Sequence, residues 1–223
     1  MNTFYFAAKA PLAGEAKTRL GTSIGMAAAA ELYSAFLLDL TQRFRAARFP
    51  TRWYLAPGAE AHVLRLTATS PLFRTQRGTD WADRQANLFK ACAAEGEARV
   101  VLAATDSPQL RPERVEEAFA ALALHDAVLG PTHDGGYYLV GMRGGLHDLL
   151  EGVEMSTESA LDQVLRRARA RRLSVALLEA EFDVDSEADL PRLAQEVARR
   201  ADLPHTAAVL SSIQGTLGEP RIA

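Results

Sequence analysis

The sequence predicts an α/β domain: a mostly parallel sheet with helices on both faces. Two observations carry that prediction. Apolar, β-type runs alternate with helical-period segments over most of the 223 residues, the pattern left by strand–helix–strand crossovers. With 48% apolar and 24% charged residues the chain has the composition of one domain with a substantial core.

Taken in order, 3–8 (TFYFAA) reads as a buried strand. Residues 23–47 read as a long helix, with Ala28, Leu32, Phe36, Leu40 and Phe44 spaced by four along one face. A strand at 51–56 (TRWYLA), a short helix at 59–67 and a weak strand at 71–76 follow. A helix at 82–95 leads into the strongest strand, 99–104 (RVVLAA). Pro112 opens a helix at 111–123, whose Val115, Ala118, Phe119 and Leu122 share a face. Strands at 126–130 and 137–142 flank a Gly-rich turn, then come a helix at 157–171 and a strand at 173–179. The last helix, 187–202, begins after Ser186 with Asp189 three residues on, a near capping box. The expected organisation is one domain over 1–203. Residues 204–223 fit no element and are expected as a tail that docks on the body or on a second subunit of a homodimer.

Net charge is −3, so nothing in the composition resembles a nucleic-acid-binding footprint. The single cysteine, Cys92, cannot form an internal disulfide, and a reducing cytoplasm suits it. No apolar run approaches the roughly 18–20 residues of a membrane span, and the N-terminus reads directly into a strand rather than a signal peptide. The expected location is the cytoplasm. Of the 25 basic residues three are lysines, and two of them, Lys9 and Lys17, fall in one early loop.

That loop, within FAAKAPLAGEAKTRL (6–20), follows a strand and precedes a helix, at the sheet edge where open α/β folds bind ligands. Small residues, Gly14 among them, let a ligand approach the backbone, and backbone N–H groups can cradle phosphate oxygens. Lys17 and Arg19, with Thr18 between them, would neutralise a diphosphate, and Lys9 could assist. The glycine spacing of neither a P-loop nor a dinucleotide fingerprint is present, and an ordinary solvated basic loop would have the same composition.

AATDSPQL (103–110) puts Asp106 just beyond the strongest strand, where a rigid carboxylate can meet a Mg²⁺ that bridges phosphates. A helix cap is the competing reading. In FDVDSEADL (182–190), Asp183 and Asp185 lie two apart, on one side of an extended chain. Capping of the following helix explains them equally well. GPTHDGGYYLVGM (130–142) makes a tight turn at His133-Asp134-Gly135-Gly136 before a Tyr-rich strand starting at Tyr137. Asp134 would be exposed there as a general base on an acceptor hydroxyl, or be simply the Asp of an Asp-Gly hairpin.

Taken together, these four segments resemble the successive motifs of a bacterial family of GT-A-type transferases, associated with radical-SAM and selenodomain proteins or named for arsenosugar biosynthesis. The resemblance runs from about residue 4 to 195 in order and spacing. More distantly the chain is similar to nucleotidyltransferases such as the molybdenum-cofactor and phospholactate guanylyltransferases. The resemblance implies a nucleotide-diphospho-sugar transferase (GT-A, Rossmann-like) fold. It places Lys17 and Arg19 in the nucleotide-phosphate loop and Asp106 and Asp185 at a Mg²⁺ or Mn²⁺ site. RGTDWADRQANLF (77–89) stands where a Gly-Asp-Leu-Gly-x-Arg segment would meet the nucleoside; Trp81-Ala82 replace Leu-Gly, so Gly78, Asp80 and Arg84 alone carry over.

The expected function is therefore metal-dependent glycosyl transfer from a nucleotide sugar to a small-molecule acceptor. On this reading His133, Gly135, Gly136 and Tyr137 face the acceptor or sugar. Nucleotidyl transfer from an NTP with release of pyrophosphate uses the same loop and metal, and is the alternative. A nucleotide-binding module without catalysis is the third reading.

Overall fold

The computed structural model describes residues 1–67, 72–144, 146–155 and 157–218. Among these residues seven strands form one sheet: β1 (Asn2–Ala8), β2 (Thr51–Leu55), β3 (Phe73–Thr75), β4 (Arg99–Ala104), β5 (Ala127–Pro131), β6 (Tyr137–Arg143) and β7 (Val175–Leu177). Their order across the sheet is β3-β2-β1-β4-β6-β5-β7. All neighbours pair in parallel except β6, which runs antiparallel to β4 and β5. The strand order reverses between β1 and β4. A crevice therefore opens at their carboxyl ends, where the loop after Ala8 and Asp106 emerge.

Among the described residues eight α-helices flank the sheet: α1 (Thr18–Ile24), α2 (Met26–Phe44), α3 (Glu60–Thr67), α4 (Trp81–Ala94), α5 (Pro112–Leu124), α6 (Ala160–Ala170), α7 (Leu190–Arg199) and α8 (Pro204–Gly218). Alternation along β1 sends Phe4 and Phe6 to one side and Tyr5 and Ala7 to the other. The first side packs with Leu32, Phe36 and Leu40 of α2, Val115 of α5, Leu193 of α7 and Leu210 of α8. The second packs with Leu88 of α4 and Val164 of α6. Helices thus cover both faces, as the alternating pattern predicts.

Several boundaries depart from the sequence reading. The helix expected at 23–47 is two helices, broken at Gly25, whose φ of 92° suits glycine and few other residues. The first of them starts at Thr18, inside the stretch read as loop. The strand expected at 71–76 spans Phe73–Thr75, and residue 71 lies outside the described residues. The helix expected from 157 starts at Ala160, and the one expected from 187 is a 3-10 turn, Glu187–Asp189, running into α7.

Residues 204–218, expected as part of a tail without an element, form α8 and pack on α2. The cap of α8 comes from another helix. The buried carboxylate of Asp39 on α2 accepts from the backbone N–H groups of His205 (3.0 Å) and Thr206 (2.8 Å). Just before α8, Asp202 binds Arg43 and Arg200, and the same two arginines donate to the carbonyls of Pro108, Leu110 and Gln109. The hydrogen bond from Arg200, with the Arg43 charge beside it, holds the Asp202 carboxyl below the usual carboxylate range. A group whose pKa is lowered by folding stabilises the fold above its unfolded pKa, near 4, and loses that contribution as the pH falls toward the folded value. Asp202→Asn is therefore expected to lower Tm at pH 7, and the gap to the parent protein should narrow below about pH 4. A gap independent of pH in acid thermal melts would show that the ion pair contributes nothing.

Candidate active site

The cleft at the carboxyl ends of β1 and β4 has a volume of about 640 Å³. Its floor is Ala7, Ala8 and Ala104, small side chains that leave the backbone open to a ligand. Three cations of the first loop line it, Lys9, Lys17 and Arg19, together with Thr18.

Lys17 is the centre of the geometry. It takes a left-handed conformation, φ 51° and ψ 39°, immediately before α1. Its side chain is 3% exposed, although the carboxylates it meets are about two-fifths exposed. Its Nζ lies 2.5 Å from Asp106 Oδ1 and 2.9 Å from Asp185 Oδ1. Burial works against the ammonium, but the two carboxylates outweigh it and hold the Lys17 pKa above the ordinary lysine value. In turn Lys17, seconded by Arg19 and Lys9, offsets the burial of Asp185 and holds its carboxyl below the usual range.

The backbone fixes these groups from several directions. Asp106 sits at the end of β4, and its carbonyl accepts from the N–H of Val184 at 3.0 Å, tying the two acidic segments together. The side chain of Gln109 donates to the Phe182 carbonyl at 2.5 Å. Beyond Asp185 the expected capping box forms: Asp189 Oδ2 accepts from the N–H groups of Asp185 and Ser186 and from the Ser186 hydroxyl. The capping of this segment thus falls to Asp189, which leaves Asp185 to meet Lys17. Under the loop, the Lys9 N–H donates to the buried Tyr33 hydroxyl (3.1 Å), which lies 2.7 Å from the Thr105 hydroxyl; that hydroxyl donates to the Ala7 carbonyl. Burial, with Asp106 close by, pushes the Tyr33 phenol up to about 12, so it remains a neutral hydrogen-bonding post.

Asp183 also lines the cleft. Burial, then the charges of Asp185, Asp134 and Asp106, pushes its carboxyl up to about 6. Asp134 reaches the cleft from the β5–β6 turn, where its Oδ1 accepts from the Thr132 hydroxyl (2.5 Å) and the Gly136 N–H (3.1 Å). That leaves the second oxygen for a ligand. Gly136 and Tyr137 line the same wall. The Tyr137 hydroxyl donates to Gln85 at 3.2 Å, and burial holds its pKa above the ordinary tyrosine value.

Four expected site residues do not form the cleft wall. Gly14 is an exposed turn residue with φ 83°. Gly78 instead lies so close to α4 that a Cβ there would come within 2.8 Å of the Arg84 nitrogen. Gly135 packs against the Glu158 backbone, and His133 is exposed with its Nε2 3.1 Å from the Arg192 guanidinium. Arg84 does line the cleft, whereas Asp80 is spent as the α4 cap, accepting from the Asp83 N–H at 2.9 Å. The sequence reading also passed over cleft residues. Tyr33 on α2, Gln76, Met155, Thr157 and Glu158 line the cleft and fall in no motif. Tyrosine's polar end was the available signal for the first; the others carried none.

The donor set suits a divalent cation. Asp106 and Asp185 already converge on one positive centre, and two carboxylates plus phosphate oxygens and water are a usual environment for Mg²⁺. Among the described residues no group of three or more His, Cys, Asp or Glu is placed to hold a metal, so the remaining ligands would come from substrate and solvent. Among the same residues no helix is long and apolar enough to cross a membrane.

A model of the family described as an uncharacterized protein conserved in bacteria (DUF2064) matches residues 39–157. The 3-phospho-D-glycerate guanylyltransferase of Phenylobacterium zucineum (strain HLK1) is 32% identical over 89% of this chain and 91% of its own. A crystal structure from Desulfovibrio desulfuricans G20, described as a nucleotide-diphospho-sugar transferase, superposes with a TM-score of 0.89 at 29% identity, covering 96% of this chain and 95% of that one. The 4-diphosphocytidyl-2C-methyl-D-erythritol synthase of Anaerococcus prevotii DSM 20548 shares the fold alone, with a TM-score of 0.58 at 12% identity over 90% of this chain and 99% of that one. The sheet and its helices are the nucleotide-diphospho-sugar transferase, GT-A-like fold that the motifs imply.

Proposed function

This chain belongs to the DUF2064 family, and we propose that it is a nucleotidyltransferase, joining the nucleotidyl group of GTP to a phosphorylated small-molecule acceptor with release of pyrophosphate. The observation that carries the reading is the meeting of Lys9, Lys17 and Arg19 with Asp106 and Asp185 at one end of the sheet. The three cations, with a divalent cation on the two carboxylates, would suit the negative charge of a triphosphate. The similarity of nearly the whole chain to a guanylyltransferase supports GTP as the donor and favours this reading over the glycosyl transfer expected from the motifs.

In the reaction an acceptor phosphate oxygen forms a bond to the α-phosphorus, and the bond from that phosphorus to the β-bridging oxygen breaks. The electron pair leaves with pyrophosphate. Lys17 and Arg19 would hold the β- and γ-phosphates as their charge grows, the kind of electrostatic stabilisation that dominates phosphoryl chemistry. Asp106 and Asp185 would hold Mg²⁺ or Mn²⁺, which supplies further charge neutralisation on the phosphates. A phosphate nucleophile is already anionic and needs no base.

That last point gives Asp134 a different role in each reaction. With a phosphate nucleophile its free oxygen binds an acceptor hydroxyl, so Asp134→Asn should raise the acceptor KM by about 10- to 100-fold, the value of a hydrogen bond to a charged group, with kcat little changed. If Asp134 were a base, kcat would instead fall by roughly 10²–10⁴-fold. Steady-state kinetics at varied acceptor separates the two.

Glycosyl transfer is the second reading. It is favoured by the description of the Desulfovibrio structure and by the resemblance to the radical-SAM- and selenodomain-associated branch. Product analysis decides. Pyrophosphate released from GTP with a phosphorylated acceptor and Mg²⁺ supports the proposal. Nucleoside diphosphate released from a nucleotide sugar, with no pyrophosphate from any triphosphate, overturns it.

A further inference from the structure

We infer that Lys17 makes divalent-cation binding conditional on the nucleotide: its ammonium holds the place between Asp106 and Asp185 until phosphates draw it away. The inference rests on the nucleotide-binding reading above but not on which group is transferred.

Three observations carry it. First, one Nζ touches both carboxylates, at 2.5 and 2.9 Å, so any cation bridging the same two oxygens competes with it for the same space. Secondly, the Lys17 side chain is buried while its carboxylates are partly exposed. The ammonium therefore has two close partners in the free protein, and exchanging them for bulk water would leave two carboxylates facing each other without the cation that bridges them. Thirdly, Arg19 and Lys9 lie close enough to act on Asp185 beside Lys17, so part of the attraction that carboxylate offers a bare divalent cation is already met by the protein's own cations. A triphosphate draws those cations to itself. It supplies new acceptors for the Lys17 ammonium within the cleft that Lys17 already lines, and its oxygens complete the coordination that two carboxylates leave open.

Reciprocity then requires that the metal tighten the nucleotide by the factor by which the nucleotide tightens the metal. Replacing Lys17 by an uncharged residue of similar length should also produce an unusual result for a site substitution, a gain in metal affinity.

Mn²⁺ titration followed by electron paramagnetic resonance tests this on the whole chain, with and without saturating GTP, against a protein-free blank for Mn²⁺ bound to GTP. The parent protein should bind Mn²⁺ weakly alone and at least about tenfold more tightly with GTP, within the usual range of coupling between two sites. Lys17→Met should bind Mn²⁺ alone about tenfold more tightly than the parent, and GTP should add less. Adding Asp185→Asn to that variant should remove the gain and so locate the ion. Lys17→Gln serves if the Met variant fails to fold by circular dichroism. An uncharged variant that binds Mn²⁺ no more tightly than the parent overturns the inference. Failure of GTP to bind either protein would overturn the nucleotidyltransferase reading instead, while the Mn²⁺ comparison without nucleotide still decides the role of Lys17.

Discussion

Asp106→Asn is expected to reduce metal-dependent turnover by roughly 10²–10³-fold or more, the effect of losing a group that stabilises developing charge, while leaving the fold intact. The side chain stands at the end of β4, about two-fifths exposed, and its structural work is done through the backbone: its carbonyl accepts from Val184, whichever side chain is present. Asn is nearly the same shape and could still accept a hydrogen bond from Lys17. What it lacks is charge. Without it a bound metal would lose one of two carboxylates, and Lys17 loses one of the two charges that hold its ammonium in place. The check pairs a pyrophosphate-release assay with a thermal melt. A large loss of rate with Tm within a few degrees of the parent supports the role; a variant of near-normal rate would leave Asp106 as an ordinary strand-end residue.

Much of this site could be read from the sequence because it lies in contiguous motifs at strand ends. The strand before Lys9, the strand before Asp106 and the alternation around them follow from local pattern, and that pattern puts ligand-binding loops on one edge of the sheet. What the sequence did not disclose depends on distant partners. Lys17 reads as a phosphate-binding loop lysine, and nothing local shows that Asp185, 168 residues away, meets it. Residues 204–218 lack a Ser, Thr, Asp or Asn at the start of the helix, because the cap is supplied by Asp39 across the α2–α8 contact. The tight turn after β5 accounts for the reversal of β6, but its place between β5 and β4 rests on pairing with β4, to which no motif points. His133 and Gly14 stand in the same motifs, but the local turn geometry turns them to solvent.

Gly135→Ala is expected to destabilise the protein by about 2–5 kcal/mol, the sum of a left-handed backbone penalty of about 1–2 kcal/mol and an overpacking cost of about 1–3 kcal/mol. Gly135 has φ 86°, and a Cβ built on it would lie 2.0 Å from the backbone carbonyl oxygen of Glu158. Neither partner can turn a side chain away, since both are main chain. The Gly135 carbonyl also accepts from the N–H of Leu161 at 3.0 Å, so the turn is pinned to the first turn of α6 and cannot retreat without giving up that bond. Gly14→Ala is the control: its φ of 83° is similar, but a Cβ there meets nothing within 4 Å, so about 1–2 kcal/mol of backbone strain alone should appear. For a chain of this size the Gly135 variant should melt roughly 5–15 °C lower, at about 2–4 °C per kcal/mol. The loss would reach the chemistry as well. The turn carries Asp134, and its partner segment carries Thr157 and Glu158, all on the cleft wall, so the acceptor KM should rise before kcat falls. Equal melting points for the two alanine variants would mean that the turn shifts away from Glu158 at no cost, and that its close approach does not hold Asp134 in position.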